Sequence, residues 1–270
     1  MPTLAGIIRC LSPGAGCQRE CVSAGNEASM QTMQKTEEQQ RYGISRLVAF
    51  SDGVFGFAIT LLIVNVISAF PPLPLSATDP QLVGALLGLG RTFFSYALSF
   101  YVGGAYWVAH HRMFGSIIRY NTTLLWLNLT LLLCVVFLPF PTFLLEKYTN
   151  SVAIAAFYAA TLSVISLCSI LIWEYAAFRH RLIPPDLDEK TILSIRARGW
   201  ITLALFVLSI GLAFLSPLLA RISWFAIFLI RPLLLSLLLK EYETVRHFLH
   251  SLAPPAHVDA QMKPPTEHRP

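Results

Sequence analysis

Charge is what this chain has least of. Only 13% of its 270 residues are Asp, Glu, Lys or Arg, against 55% that are hydrophobic, whereas a soluble globular domain carries about 25% charged residues. The apolar runs are too many and too long for one soluble core to bury, and mean hydropathy is +0.60. A bilayer, not water, is the host. Cysteine is scarce as well: Cys10, Cys17 and Cys21 lie in a polar amino-terminal stretch, Cys134 and Cys168 in apolar runs. No pair has the C-x-x-C spacing of a zinc or redox site, so these read as cytosolic or buried thiols. Catalytic signatures are missing too. There is no H-E-x-x-H, no G-x-S-x-G, no phosphate-cradling loop and no carboxylate pair at mid-membrane depth. The adjacent His110 and His111 point about 100° apart on a helix and do not serve one metal. The expectation is a protein that is not an enzyme and has no cofactor and no metal.

The net charge of +5 raises nucleic acid as a partner, but the cations sit between the apolar runs, and no basic stripe interleaved with aromatics is present. That is the distribution of membrane loops. Residues 1–40 are Gly, Ser, Gln and Glu rich and 251–270 are Pro rich, so both read as disordered tails flanking a membrane domain over 41–250. The apolar patch Leu4 to Ile8 is too short for the core of a signal peptide.

Six apolar segments stand in that domain, each near the roughly 20 residues that cross the hydrocarbon layer. They run from about Leu47 to Phe70, Thr92 to Ala109, Thr122 to Leu145, Val152 to Phe178, Gly199 to Ala220 and Ile222 to Leu239. Leu82 to Leu89 reads as an extracellular extension of the second. Pro71, Pro72 and Pro74 close the first segment, and Pro184 with Pro185 stop the chain after the fourth. With the amino terminus inside, the inner flanks hold Arg41, Arg46, Arg112, Arg119, Arg179, Arg181, Lys190, Arg196, Arg198, Lys240 and Arg246. The outer flanks hold Arg91, Lys147 and Arg221. By the positive-inside rule both termini are cytoplasmic, which requires an even number of spans. The fold class is an all-α membrane protein.

Asp52 is the most informative residue, because an ionisable group inside a span costs about 2.5–3.5 kcal/mol on insertion scales unless it is paired. Arg46 lies six positions earlier at the membrane edge, and His110, His111 and Arg112 end the second span at the same depth. The expected cluster is Arg46, Ser51, Asp52 and one of the two histidines, as a structural fastening or as a pH sensor. Arg231, followed by Pro232, falls within the sixth segment, where Glu174 or a carbonyl freed by the proline would receive it. Gly53, Gly56, Ser99, Gly103 and Gly104 allow close helix approach, and Asn65, Asn128 and Thr130 can bond across helices. Gly53, Phe57, Thr60, Leu61 and Val64 share one helical stripe. Such a stripe packs a helix, or, shared among subunits, forms apolar rings that gate a pore by dewetting.

Arg46-x-x-x-Phe50-Ser51-Asp52-Gly53-Val54-Phe55, followed by Ala58-Ile59-Thr60-Leu61-Leu62, resembles the first helix of the prokaryotic transmembrane protein 175 potassium channels. Tyr106-Trp107-x-x-His110-His111-Arg112-Met113-Phe114 and Leu125-Trp126-Leu127-Asn128, with Phe137-Leu138-Pro139-Phe140-Pro141, resemble the second and third spans of that family. The likeness covers roughly Ile44 to Arg246. It implies six spans per subunit, a homotetramer in the plasma membrane, and a potassium-selective leak-type pore lined by the first helix without the T-V-G-Y-G carbonyl filter, which this chain lacks. Carried over by position, the apolar constrictions fall on Phe57, Leu61 and Val64, with the Thr60 hydroxyl assisting. Arg46, Phe50, Ser51, Asp52, His110 and His111 become the structural polar network. Phe57 stands where an isoleucine or leucine is usual, and Gly56 where alanine is common. The resemblance names potassium ion and the lipid bilayer as partners, and no nucleic acid. Two other readings compete: a proton or cation transporter relaying through Asp52 and His110 or His111, and a non-conducting scaffold.

Overall fold

The computed structural model describes residues 15–225, together with 233–237 and 240. All regular structure among them is helical: α1 Ala15–Leu61, α2 Ile63–Ala69, α3 Asp79–Gly88, α4 Gly90–Phe114, α5 Thr122–Phe137, α6 Pro139–Lys147, α7 Val152–Ala177 and α8 Glu189–Leu215. Four stretches are long and apolar enough to cross a membrane, and a fifth is made by α3 and α4, which meet at a 42° bend. Half of the sixth expected segment, Arg231 and the 251–270 tail lie outside the described residues.

Several boundaries differ from those read off the sequence. Helix α1 begins at Ala15, so residues 15–40 are helical where a disordered tail was expected. From Ser29 to Tyr42 there is no Gly or Pro, and the Gln, Glu, Lys and Met side chains are strong helix formers. This stretch is exposed almost throughout, so low hydrophobicity here marks solvation of a helix that grows out of the span. The first span is also broken at Leu62, where the amide of Leu62 bonds back only to Ile59 O at 3.3 Å and that of Asn65 only to Leu62 O at 3.2 Å. The fifth span ends at Leu215 instead of Ala220, and Ser216 is extended (φ −163°, ψ 127°) before the chain turns helical again over 217–225. Pro217 is the cause, since the residue before a proline is driven out of the α region. The separation of the fifth and sixth segments therefore falls at Ser216, not at Arg221, whose guanidinium instead donates to the Thr149 carbonyl.

Caps and turns set the remaining ends. Asn121 Oδ1 accepts the Leu124 amide at 3.0 Å to start α5, and Ser151 Oγ accepts the Ile154 amide to start α7. Pro139 divides α5 from α6, and the Thr142 hydroxyl donates to the Leu138 carbonyl there. After α7 the backbone turns left-handed at Arg179 and His180. His180 Nδ1 donates to Pro184 O at 3.1 Å, and Leu182 O accepts the Ile118 amide at 2.9 Å, joining this turn to the α4–α5 connection.

Helix α7 is the centre of the bundle, between α5 on one side and α8 on the other, while α1 lies against α4 and α5. Ala155, Ala159 and Ala176 are fully buried along α7; small residues bring backbones close where lipid supplies no hydrophobic drive between helices. At the foot of the bundle α1 crosses the α4–α5 connection at Gly43, with Gln40 Oε1 accepting the Tyr120 amide at 3.0 Å. A Cβ on Gly43 would fall on the Tyr120 ring. Gly43→Ala should therefore cost about 1–3 kcal/mol of overpacking, read as a lower melting temperature of the purified protein, and Tyr120→Ala in the same chain should recover most of it. Additive losses in the double variant would show that the two positions do not touch.

Candidate functional site

Helix α1 has two unlike faces. Ile44, Leu47, Ser51, Phe55, Ala58 and Leu62 are buried against α4 and α5, and Asn65 continues that line in α2. The opposite line, Arg46, Phe50, Gly53, Phe57, Thr60, Val64 and Ile67, advances by alternating steps of four and three and is exposed throughout. Phe57 is 58% exposed, Val64 50% and Ile67 67%. Thr60 lies on this line with its hydroxyl donated to Phe57 O at 2.9 Å, and Leu61 is half-buried on its flank. A face turned only to lipid has no use for Arg46, Gly53 and Thr60 among its apolar residues. Phe50 and Ile67, which the spacing argument did not assign to the stripe, extend it by one turn at each end.

The buried face is fixed by polar bonds. His110 Nε2 is 2.9 Å from Asn128 Oδ1, Asn128 Nδ2 donates to Ser51 Oγ at 2.9 Å, and Ser51 Oγ donates to Leu47 O at 2.9 Å. Because the Asn128 oxygen can only accept, His110 carries its proton on Nε2. The His110 ring is stacked with Phe114 at 4.3 Å and tilted against Phe55 at 5.4 Å. Asp52 belongs to a separate contact, accepting from Trp107 Nε1 at 2.8 Å, with His111 lying beside that indole at 5.8 Å.

The expected cluster is thus corrected. Ser51 and His110 meet through Asn128, which the sequence reading treated as a generic helix-packing amide. Asp52 and His111 gather around Trp107. Arg46 joins neither group, and its guanidinium lies 5.9 Å over the Tyr42 ring. Six residues along a helix rotate the side chain to about 120° away, so Arg46 points along the open face while Asp52 turns toward α4. Phe50 is 53% exposed and lies outside the network. The acid proposed for Arg231 is engaged elsewhere, as Glu174 takes both Nε and a terminal nitrogen of Arg196 at 2.7 Å, the bidentate geometry that favours Arg over Lys.

Further bonds climb α4 from this level. The Tyr106 hydroxyl is 2.7 Å from both Leu162 O and Ser166 Oγ, Ser99 Oγ is 2.9 Å from the Tyr158 hydroxyl, and Thr92 donates to Glu146 at 2.8 Å. In membranes each such bond is worth about 0.6 kcal/mol on average and up to about 1.7 kcal/mol. Together they fix α4, against which α1 lies, to α6 and α7. Asn128→Leu removes two of these bonds and leaves Ser51 and His110 without their partner. It should lower the melting temperature in detergent, equivalent to about 2–3 kcal/mol, while Asn128→Gln recovers part of the loss; an unchanged melting temperature in Asn128→Leu would remove the network from the stability of the bundle.

Residues 46–139, which hold the open line, α4 and α5, match the family described as endosomal/lysosomal potassium channel TMEM175. A potassium channel of Streptomyces collinus is 33% identical over 175 residues, 63% of this chain and 82% of that one. A potassium channel of Chamaesiphon minutus is 32% identical over 187 residues, 68% of this chain and 90% of that one. The crystal structure of a lysosomal potassium-selective channel TMEM175 homolog from Chamaesiphon minutus superimposes with a TM-score of 0.60 at 29% identity, covering 72% of this chain and 99% of that one. The family consists of ion channels, not enzymes. On its sequence and its fold alike, this chain belongs to the TMEM175 channel family.

Proposed function

We propose that this protein is a potassium-selective, leak-type channel in which four copies surround an axis lined by the open face of α1. What carries the reading is that face: an uncovered line of alternating spacing through Phe57, Thr60 and Val64 on a helix whose opposite side is held by buried polar bonds. In a tetramer, Phe57, Leu61 and Val64 would form successive apolar rings. An ion passing them sheds part of its hydration, and potassium, the larger and more weakly hydrated ion, does so at lower cost than sodium. The Thr60 hydroxyl puts a polar level between the Phe57 and Leu61 rings, and the small Gly53 and Gly56 leave open levels below them. The relatives from Streptomyces and Chamaesiphon are themselves named potassium channels. The excess of Lys and Arg on the inner flanks supports a multi-pass arrangement with both termini in the cytoplasm, and the bacterial relatives support the plasma membrane as its site.

A relay through Asp52 and histidine finds less support, because Asp52 is bonded to Trp107 and His110 to Asn128, with no hydrogen bond joining the two groups. Purified protein in planar bilayers under bi-ionic potassium and sodium should give ohmic steps with a reversal potential on the potassium side. Leu61→Ala should move that potential toward the non-selective value, and Phe57→Ala should raise single-channel conductance severalfold; if both variants match the parent, the rings are elsewhere. Asp52→Asn should retain ohmic current in whatever fraction assembles, whereas saturating flux abolished by that change would establish the relay.

A further inference from the structure

Where α4 and α7 end and α8 begins, the three helices enclose a cavity of about 660 Å³, within the range of about 300–1,000 Å³ typical of small-molecule sites. It lies behind the polar network, on the side of α4 away from α1. Its walls have two characters. Met113, Phe206 and Trp224 contribute an apolar wall, while Arg112, Trp173 and Arg198 line the same space.

Three buried polar atoms belonging to residues of this lining have no hydrogen-bond partner: Trp173 Nε1, Arg198 Nε and His110 Nδ1. Trp173 and His110 are each only 2% exposed, and a buried indole N–H can do nothing but donate. Trp173 Nε1 and Arg198 Nε are donors, and together on one cavity they leave an acceptor-shaped vacancy in the bonding of the fold; His110 Nδ1, with the ring proton on Nε2, is an acceptor.

The charges give the sign of what fills it. Of the arginines in the lining, Arg196 is neutralised by Glu174. Arg112 and Arg198 have no acidic partner among the described residues, and they stand close enough to repel each other. A cation would be excluded here and a neutral molecule would leave the repulsion in place. An anion with several acceptor oxygens relieves the repulsion and receives the orphaned donors.

We infer that this cavity binds the phosphate group of an acidic phospholipid, with Arg112, Arg198 and the Trp173 N–H on the phosphate and the acyl chain along Met113, Phe206 and Trp224. The apolar wall and the surrounding bilayer favour a lipid over free phosphate, which shares the same headgroup chemistry. The inference does not depend on conduction. His110 borders the cavity with its unprotonated Nδ1 and holds Asn128 through Nε2, so the residue that seats α1 adjoins the site.

The test uses the full-length protein in neutral detergent, titrated with phosphatidylglycerol whose acyl chains carry bromine, a quencher of indole fluorescence. Of the five tryptophans, Trp173 and Trp224 line the cavity. Saturable quenching by phosphatidylglycerol is expected, with at least tenfold weaker apparent affinity for phosphatidylcholine bearing the same chains. The saturable component should vanish in the Trp173→Phe/Trp224→Phe double variant. Arg112→Gln with Arg198→Gln should weaken binding at least tenfold. Ala105→Phe, which fills the cavity and leaves every charge in place, should abolish it, and Arg198→Lys should retain it. Should the double glutamine variant fail to fold, Ala105→Phe and Arg198→Lys carry the same test. Equal quenching by the two lipids, or parental binding in a folded Ala105→Phe protein, would overturn the site. Complete displacement by millimolar inorganic phosphate would overturn the lipid as its occupant and leave free phosphate as the ligand.

Discussion

The bond from Asn128 to Ser51, continued on its other side to His110, is the constraint on which the arrangement of this subunit rests. It joins α1, α4 and α5 at one level, and each of its members is buried to 2% exposure or less. Lipid is as apolar as leucine, so burial alone cannot choose how far α1 is rotated about its own axis. A directional bond between a short hydroxyl and an amide can. Ser51 sits opposite the line through Gly53, Phe57 and Thr60, and seating Ser51 leaves that line uncovered.

The same division of labour runs through the bundle. Apolar side chains and small residues bring α7 against α5 and α8, and tyrosine hydroxyls span the gaps where backbones stay apart. Tyr106 reaches from α4 to Ser166 on α7, and Tyr158 reaches back to Ser99. Long side chains in these positions hold helices at a distance as well as together, and the cavity beside Tyr106 is the space so kept. The charged residues gather near the ends: Glu174 with Arg196 where α7 meets the start of α8, Glu146 with Thr92 at the opposite end.

Depth was legible in the sequence and direction only in part. Hydropathy located the five spans that the described residues hold, and spacing placed Phe57, Thr60 and Val64 on one line because helical periodicity is a statement about direction. The pairing of Asp52 with Arg46 rested on depth alone and failed for that reason, since two groups at one level can point to different neighbours. A donor matched to a carboxylate at the membrane edge was present in Trp107, whose indole N–H and apolar body suit that level. The proline at 217 announced the true end of the fifth span more reliably than the arginine at 221, because it acts on the backbone directly. Low hydropathy upstream of Arg41 left order undetermined: a helix that buries nothing looks, in composition, like a chain that folds not at all.

The tightened turn at Leu62 bears on the angular phase of the first span. On a straight α-helix a repeat of seven residues falls behind by about 20°, so a line of side chains spaced by fours and threes slowly winds off the axis it faces. A turn closed by bonds to the third residue back winds at about 120° per residue instead of about 100°. One such step restores the lag, and it stands between Phe57 and Val64. The irregularity that divides α1 from α2 is therefore what keeps the upper and lower levels of the open face aligned, so that a symmetric assembly could stack their side chains as coaxial rings.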